Sequence, residues 1–405
     1  MSPWNFRPSA ASNARQLIIH DVTLRDGEQQ AGVIFTAKEK IEIAAALDRM
    51  GVNRIEAGMV AVSAEDREAI RAIVSSKPRA EIWTIARSVP KDIELALECG
   101  VDGVGVILLG NEQYCRIFSW ELEEVVTKAL SAADRAKQAG LKTTLLIADS
   151  TRMKEERLKF IVESATKSNN FTALALMDTF GALSPVGTRT IIQAVQSMTD
   201  LPLEFHAHND FGVGTANALT ALATDVNILH TSVIGLGERI GNAPFEEVVL
   251  AAKLLYGAET NVDLQQLNNI ASLVSKRSGV QLSPHKPVVG KNFTRIESGT
   301  VASEFLRWSK WGEDLQWIFP YVPSLVGSAP VELVLCKGSG LANIDSALEK
   351  IGLQISDDLK KEIVSSVKSE ASRLHRELTL KEFTNLVTRT TEQTNGSQDN
   401  TAKSA

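Results

Sequence analysis

Eight short apolar runs rich in β-branched residues alternate with longer stretches of helical period, and charged residues gather where the runs end. This pattern predicts a TIM-type (β/α)8 barrel followed by a smaller, mostly helical C-terminal region. The runs are LIIHDV, RIEAG, EIWTIAR, GVGVILL, TTLLIAD, ALALMDT, LEFHAHND and NILHTSVIG, in that order. Between them lie stretches such as AKEKIEIAAALDRMG, AEDREAIRAIVSS and PKDIELALECG, whose acidic starts and glycine ends mark helix termini. An open doubly wound sheet is the competing arrangement, but no GxGxxG follows the first run.

The ends of the chain differ in kind. Residues 1–14 and 391–405 are rich in Ser, Asn, Thr and Ala, too poor in apolar surface to offset the entropy of ordering, and are expected to be disordered. The barrel is placed at 15–258 and the C-terminal region at 259–390. In that region Trp308, Trp311 and Trp317 have the spacing of one helix face, read as core or subunit interface.

Composition narrows the class. With 405 residues, 44% of them hydrophobic, the chain can bury a large core. A net charge of -6 without a dense Lys/Arg block argues against a nucleic-acid or membrane-surface protein. Cys99, Cys115 and Cys336 form no CxxC pair and read as reduced packing residues. The longest apolar runs fall short of the roughly 18 residues of a membrane span, and the N-terminus carries no continuous apolar segment, so a cytoplasmic protein is expected.

In such a barrel, chemistry sits at the C-terminal ends of the strands. Those ends carry Asp21, Arg25 and Asp26, then Glu56, Arg87, Asp149, Asp178 with Thr179, His206 with His208, and Glu238, Arg239 and Asn242 beyond the last strand. His206 and His208, two apart on a strand, present both imidazoles to one face. With Asp26 from the same rim they suit an octahedral divalent ion that keeps open positions for an oxygen chelator. Glu56 and Arg87 suit either substrate orientation or a rim ion pair. His20 and His230 read as hydrogen-bonded core histidines, and Asp178 as a support for the metal histidines or Arg25.

Three segments, DVTLRDGEQ, HAHNDFGVGTANAL and GLGERIGNAPFEEVV, resemble in order the signatures of the DRE-TIM metallolyase superfamily, in its isopropylmalate and homocitrate synthase branch. The resemblance implies a divalent metal (Mg, Mn, Co or Zn) on Asp26, His206 and His208, with Asn242 near it in some members. It further implies Arg25 on the keto oxygen, Thr179 on the carboxylate of a 2-oxo acid, and Gln29 beside the site. Arg87 is counted as substrate-binding from its strand-end position alone. The expected reaction is a Claisen-type condensation of an acyl-CoA, with acetyl-CoA foremost, and a 2-oxo acid. The C-terminal region is expected to act as lid and homodimer contact, and to be too short for a leucine-sensing regulatory domain.

Two departures from the synthases stand out. Ala148 occupies the place of a strand-five glutamate, and Val301 that of a histidine after ESG. Both lost groups belong to proton transfer, which leaves Glu297, His285, Tyr321 or a metal-bound water as the base, Glu297 foremost. A metal-dependent lyase or aldolase cleaving a 2-hydroxy acid is the alternative, and a non-catalytic binding relative a minor one. The loop after strand eight lacks the cysteine of hydroxymethylglutaryl-CoA lyases, which favours the synthase.

Overall fold

The computed structural model describes residues 16–311 and 318–402, so the 1–14 segment, Trp317 and the Trp311 side chain lie outside the described residues. The chain divides into two compact units, one ending at Leu282 and one beginning at Ser283.

The first unit is a closed barrel of eight parallel strands in sequence order. Its elements are β1 (Ile18–Asp21), α1 (Ala37–Arg49), β2 (Arg54–Met59), α2 (Ala64–Ser75), β3 (Glu81–Arg87), α3 (Pro90–Cys99) and β4 (Gly103–Leu108). They continue through α4 (Glu112–Phe118), α5 (Leu122–Gln138), β5 (Lys142–Ile147), α6 (Glu155–Ser168), β6 (Ala173–Asp178), α7 (Pro185–Gln196) and β7 (Leu203–Ala207). The unit closes with α8 (Gly214–Ala223), β8 (Ile228–Thr231), α9 (Phe245–Tyr256) and α10 (Leu267–Ser278). Each predicted strand run overlaps one observed strand, with β2 and β5 each extending one residue outside its run. Helix starts follow local chemistry: Thr36 and Glu39 form a reciprocal capping box on α1, and Pro90 opens α3, which ends on left-handed Gly100.

The barrel unit runs past residue 258, where the sequence reading ends it. Helix α10 buries Leu267, Ile270, Ala271 and Val274, and Arg277 bonds Glu42 of α1 at 2.7 Å, which makes α10 part of the barrel's outer layer.

Inside the barrel, the side chains divide by chemistry. Toward the strand starts lies a polar layer: Glu204 on β7 accepts from Arg54 on β2 (2.8 Å) and Thr144 on β5 (3.0 Å) and contacts His230 on β8 (2.8 Å). Burial alone would raise the Glu204 carboxyl, but the bond to His230 and the neighbouring cations bring it down to about 2. His20 on β1 stacks on His230 at 4.4 Å and meets Trp83 of β3 edge-on at 5.6 Å. Trp83 itself fills the space left by Gly103, where an added Cβ would lie 2.4 Å from the indole. Toward the strand ends of β3 to β6 the wall turns apolar, with Ile85, Leu146, Ala148, Ala175 and Met177 in one cluster.

The second unit contains β9 (Arg295–Ile296), α11 (Gly299–Trp311), β10 (Glu332–Leu333), α12 (Leu341–Lys350), α13 (Asp357–Leu374) and α14 (Leu380–Ala402). Strands β9 and β10 pair in parallel, and α12, α13 and α14 bury Ile344, Ile363, Val367 and Phe383 in one core. The helical character matches the expectation. Helix α14 continues to Ala402, past residue 391 where a disordered tail was expected: its backbone extends a helix whose earlier turns are anchored by Phe383, Leu386 and Val387.

Two substitutions test this packing by denaturant unfolding. Gly103→Ala should destabilise the barrel by about 1–3 kcal/mol through overpacking against Trp83, and Trp83→Leu in the same chain should recover part of that loss as a coupling term. Glu204→Ala should cost about 3–5 kcal/mol because Arg54 loses its buried counter-charge, whereas Glu204→Gln, which keeps an acceptor, should cost less.

Candidate metal centre at the barrel mouth

The turn after β1 brings the DVTLRDGEQ segment to the mouth. The N–H groups of Arg25, Asp26 and Gly27 all point at the Val22 carbonyl at 2.9–3.1 Å, winding the chain so that Arg25 and Asp26 stay buried. Asp21, the first acid of the segment, is structural: its carboxylate accepts from Thr23 N and Oγ1 at 3.0 Å, and burial pushes its carboxyl up to about 7.

From β7, His206 and His208 reach the same point. Their Nε2 atoms are 3.2 Å apart, and Asp26 Oδ2 lies 3.4 Å from His206 Nε2 and 3.9 Å from His208 Nε2. Burial disfavours protonation of both rings, taking His206 down to about 3 and lowering His208 as well, so both offer neutral nitrogens at physiological pH. Asp26 behaves in the opposite sense. Burial alone would raise its carboxyl, but the Arg25 guanidinium and the two imidazoles hold it well below the usual range.

The loop after β8 completes the cluster. Residue 242 returns beside β7, where Asn242 bridges His208 antiparallel and the Ala243 N–H bonds Ala207 O at 3.0 Å. The return is tight: an added Cβ on Gly241 would lie 1.9 Å from Gly235 O, and one on Gly237 would lie 2.3 Å from Asn242 Nδ2. Asn242 donates Nδ2 to Leu236 O at 2.9 Å, and its buried Oδ1 has no hydrogen-bond partner.

These donors fit a divalent ion. The ligand atoms of Asp26, His206 and His208 lie within 4.8 Å of one another, all buried. Two donors at about 2.1 Å from one ion and at right angles are roughly 3 Å apart, close to the observed nitrogen spacing, and the unpartnered Asn242 Oδ1 adds an oxygen.

Arg25 sits between two carboxylates. Its Nε donates to Glu56 Oε1 at 2.5 Å and its Nη1 to Asp26 Oδ2 at 2.7 Å. Glu56 in turn contacts His20 Nε2 at 3.2 Å; burial would raise its carboxyl, but Arg25 and His20 lower it to about 2. Of the two readings for Glu56, the ion pair is the one observed. Gln29, exposed, accepts weakly from Arg25 Nη1 at 3.4 Å.

The remaining sequence-derived residues are arranged differently. Arg87 is exposed and bonds Asp92 with Nε (2.8 Å) and Nη2 (2.9 Å), tying β3 to α3 in a rim ion pair. Thr179, half-buried, accepts from Asp149 N with Oγ1 (2.8 Å) and from Arg239 with its carbonyl (2.8 Å). The Asp178 carboxylate is engaged elsewhere than the histidines or Arg25, although the residue's backbone carbonyl accepts from His208 N at 3.4 Å. Its carboxylate oxygens accept from Thr151 Oγ1, Ala182 N and Leu183 N, because the tight turn after β6 leaves those donors in need of a buried acceptor. In the second unit, Glu297 is exposed and accepts from Gly338 N at 2.8 Å. His285 is exposed as well, and burial pushes the Tyr321 phenol up to about 12, which makes it a poor base.

Glu204 escaped the sequence reading. It forms with His20 and His230 a second buried group of potential ligands, beneath the first. The signal was present, since Glu204, His206 and His208 share one strand parity.

The HMGL-like family model matches residues 16–274. Homocitrate synthase AksA of Methanopyrus kandleri is 34% identical over 88% of this chain and 88% of its own length. The 2-isopropylmalate synthase of Methanocaldococcus jannaschii is 35% identical over 87% of this chain and 68% of its own length. Among solved structures, the HMG-CoA lyase of Bacillus subtilis superposes with a TM-score of 0.63 at 21% identity, covering 69% of this chain and 98% of that one, which supports the barrel fold alone. The family match spans all eight barrel strands and the relatives share about a third of their residues over most of the chain, so the chain belongs to the HMGL-like family.

Proposed function

We propose that this protein joins an acyl-CoA, with acetyl-CoA as donor, to a 2-oxo acid in a divalent-metal-dependent Claisen-type condensation. The α-carbon of the thioester loses a proton and attacks the ketone carbon; hydrolysis of the thioester then releases free CoA and leaves a 2-hydroxy diacid. The observation that carries the reading is the convergence of Asp26, His206 and His208 beside Arg25, in a chain whose relatives at 34–35% identity are named as homocitrate and 2-isopropylmalate synthases.

A divalent ion held by Asp26, His206 and His208, with Asn242 Oδ1 as a further donor, would supply Lewis acidity at the ketone. Mg, Mn, Co and Zn all suit this donor set. Arg25 supplies a fixed positive charge against the alkoxide as it forms. Its Nε and Nη1 are engaged by Glu56, Asp26 and Gln29, so the guanidinium is held in place before substrate arrives. Thr179 presents its hydroxyl at the mouth as a partner for the substrate carboxylate. For the acyl proton we assign Glu297, an exposed carboxylate, as the base; the family's glutamate and histidine positions hold Ala148 and Val301 here. The same reading takes small-molecule partners, a homodimer and a cytoplasmic setting. No helix among the described residues is long and apolar enough to cross a membrane.

The decisive assay incubates the protein with Mg or Mn, acetyl-CoA and a panel of 2-oxo acids and follows free CoA thiol. Thiol release that depends on both metal and 2-oxo acid is expected. Its absence, with a 2-oxo acid instead liberated from a 2-hydroxy acid, would replace the synthase by a lyase. Asp26→Ala and His208→Ala should weaken Mn binding by roughly 100-fold and abolish turnover. Arg25→Ala should leave Mn bound while lowering kcat by about 100- to 1000-fold. Glu297→Gln should suppress exchange of the acetyl-CoA methyl protons into deuterated water.

A further inference from the structure

Strand register sets what lies beside the histidine pair, and this inference rests on the synthase reading. Met177 of β6 pairs in register with His206 of β7, so the thioether stands at the level of the first imidazole, on the same inner wall. The next neighbours follow from the ladders. Ile147 pairs with Leu176, and Leu108 with Ile147, which brings Ala148 and then Leu109 to the same level one residue beyond. Ile107 and Met59 adjoin them in the apolar cluster. Met59, Ile107 and Leu109 are only partly buried, so this arc of the mouth is an open apolar surface and not closed core.

The barrel mouth is therefore divided. From the turn after β1, from β7 and from the loop after β8 come Arg25 and the donors of the metal centre, with Glu56 of β2 beside Arg25; from Met59 at the end of β2 and from β3 to β6 comes a hydrocarbon wall. Three arginines of the mouth loops are held in ion pairs of their own: Arg87 with Asp92, Arg152 with Asp149 and Arg239 with Asp210. A second carboxylate on the substrate would lose its hydration against Met59, Ile107, Leu109, Ala148 and Met177, none of which carries a charge or a hydrogen-bond donor side chain. An alkyl group would gain affinity, roughly fourfold for each buried methylene.

We infer that the 2-oxo acid taken by this protein is a monocarboxylic acid with an aliphatic side chain, seated against Met177, Ala148 and Leu109, and that dicarboxylic 2-oxo acids are discriminated against. Ala148 then has a positive role. The small residue leaves room for a branch at the level where a larger side chain would fill the wall.

The test separates this inference from the synthase reading by using binding as well as turnover. Protein loaded with Mn is titrated with pyruvate, 3-methyl-2-oxobutanoate, 4-methyl-2-oxopentanoate and 2-oxoglutarate, following water proton relaxation at the ion. A branched aliphatic acid should bind at least about tenfold more tightly than 2-oxoglutarate. Equal or tighter binding of 2-oxoglutarate overturns the inference, as does the failure of every acid to change the signal. The synthase reading fails independently, through absence of CoA thiol release with the acids that do bind. Two variants sharpen the assignment. Met177→Ala should shift the kcat/KM ratio toward the longer 4-methyl-2-oxopentanoate, and Leu109→Lys should raise affinity for 2-oxoglutarate relative to the branched acids. If both ratios stay fixed in folded protein, the wall does not hold the side chain and the inference falls.

Discussion

The buried guanidinium of Arg25 is the constraint around which the upper barrel is organised. A cation with almost no access to water is tolerable only between anions, and it has two: Glu56 from β2 and Asp26 from its own turn. Each of those carboxylates then carries a second obligation. Glu56 is tied to His20, and Asp26 faces His206 and His208. The pairing that makes the arginine stable thus also keeps Asp26 ionised beside two neutral imidazoles, which is the protonation state a metal ligand set requires.

The same principle extends down the barrel axis. His20 stacks on His230, and His230 meets Glu204, whose charge is balanced by Arg54. The interior is not a uniform apolar plug. One side is a chain of paired charges running beneath the candidate centre, and the other is hydrocarbon. From below, the His230 ring meets His206 edge-on at 5.5 Å, while the loop after β8, pinned by glycines where no Cβ fits, fixes Asn242 from the side.

Charges at the mouth that do not belong to this chain of contacts hold loops. Asp178 accepts from backbone N–H groups, Asp149 pairs with Arg152, Arg87 with Asp92, and Arg239 with Asp210 around the rim. Their positions at strand ends made them candidates, yet a strand end is also where the chain must turn, and turns need acceptors for freed N–H groups as much as chemistry needs acids.

The sequence by itself determined the barrel, since alternating two-fold and 3.6-fold apolar periods specify βα units locally. It determined the metal-ligand candidates too: the HxH spacing on one strand face and the acid after strand one are properties of single strands. Tertiary structure alone decided the partners. Nothing local joins Glu56 to Arg25 or Glu204 to Arg54: the first contact links the turn after β1 to the neighbouring β2, and the second crosses the barrel from β7 to β2. It alone decided that Asp178 holds a turn, that α10 belongs to the barrel layer, and that Met177 stands level with His206. Those facts depend on register and closure, which arise when strands meet and which no single stretch of sequence encodes.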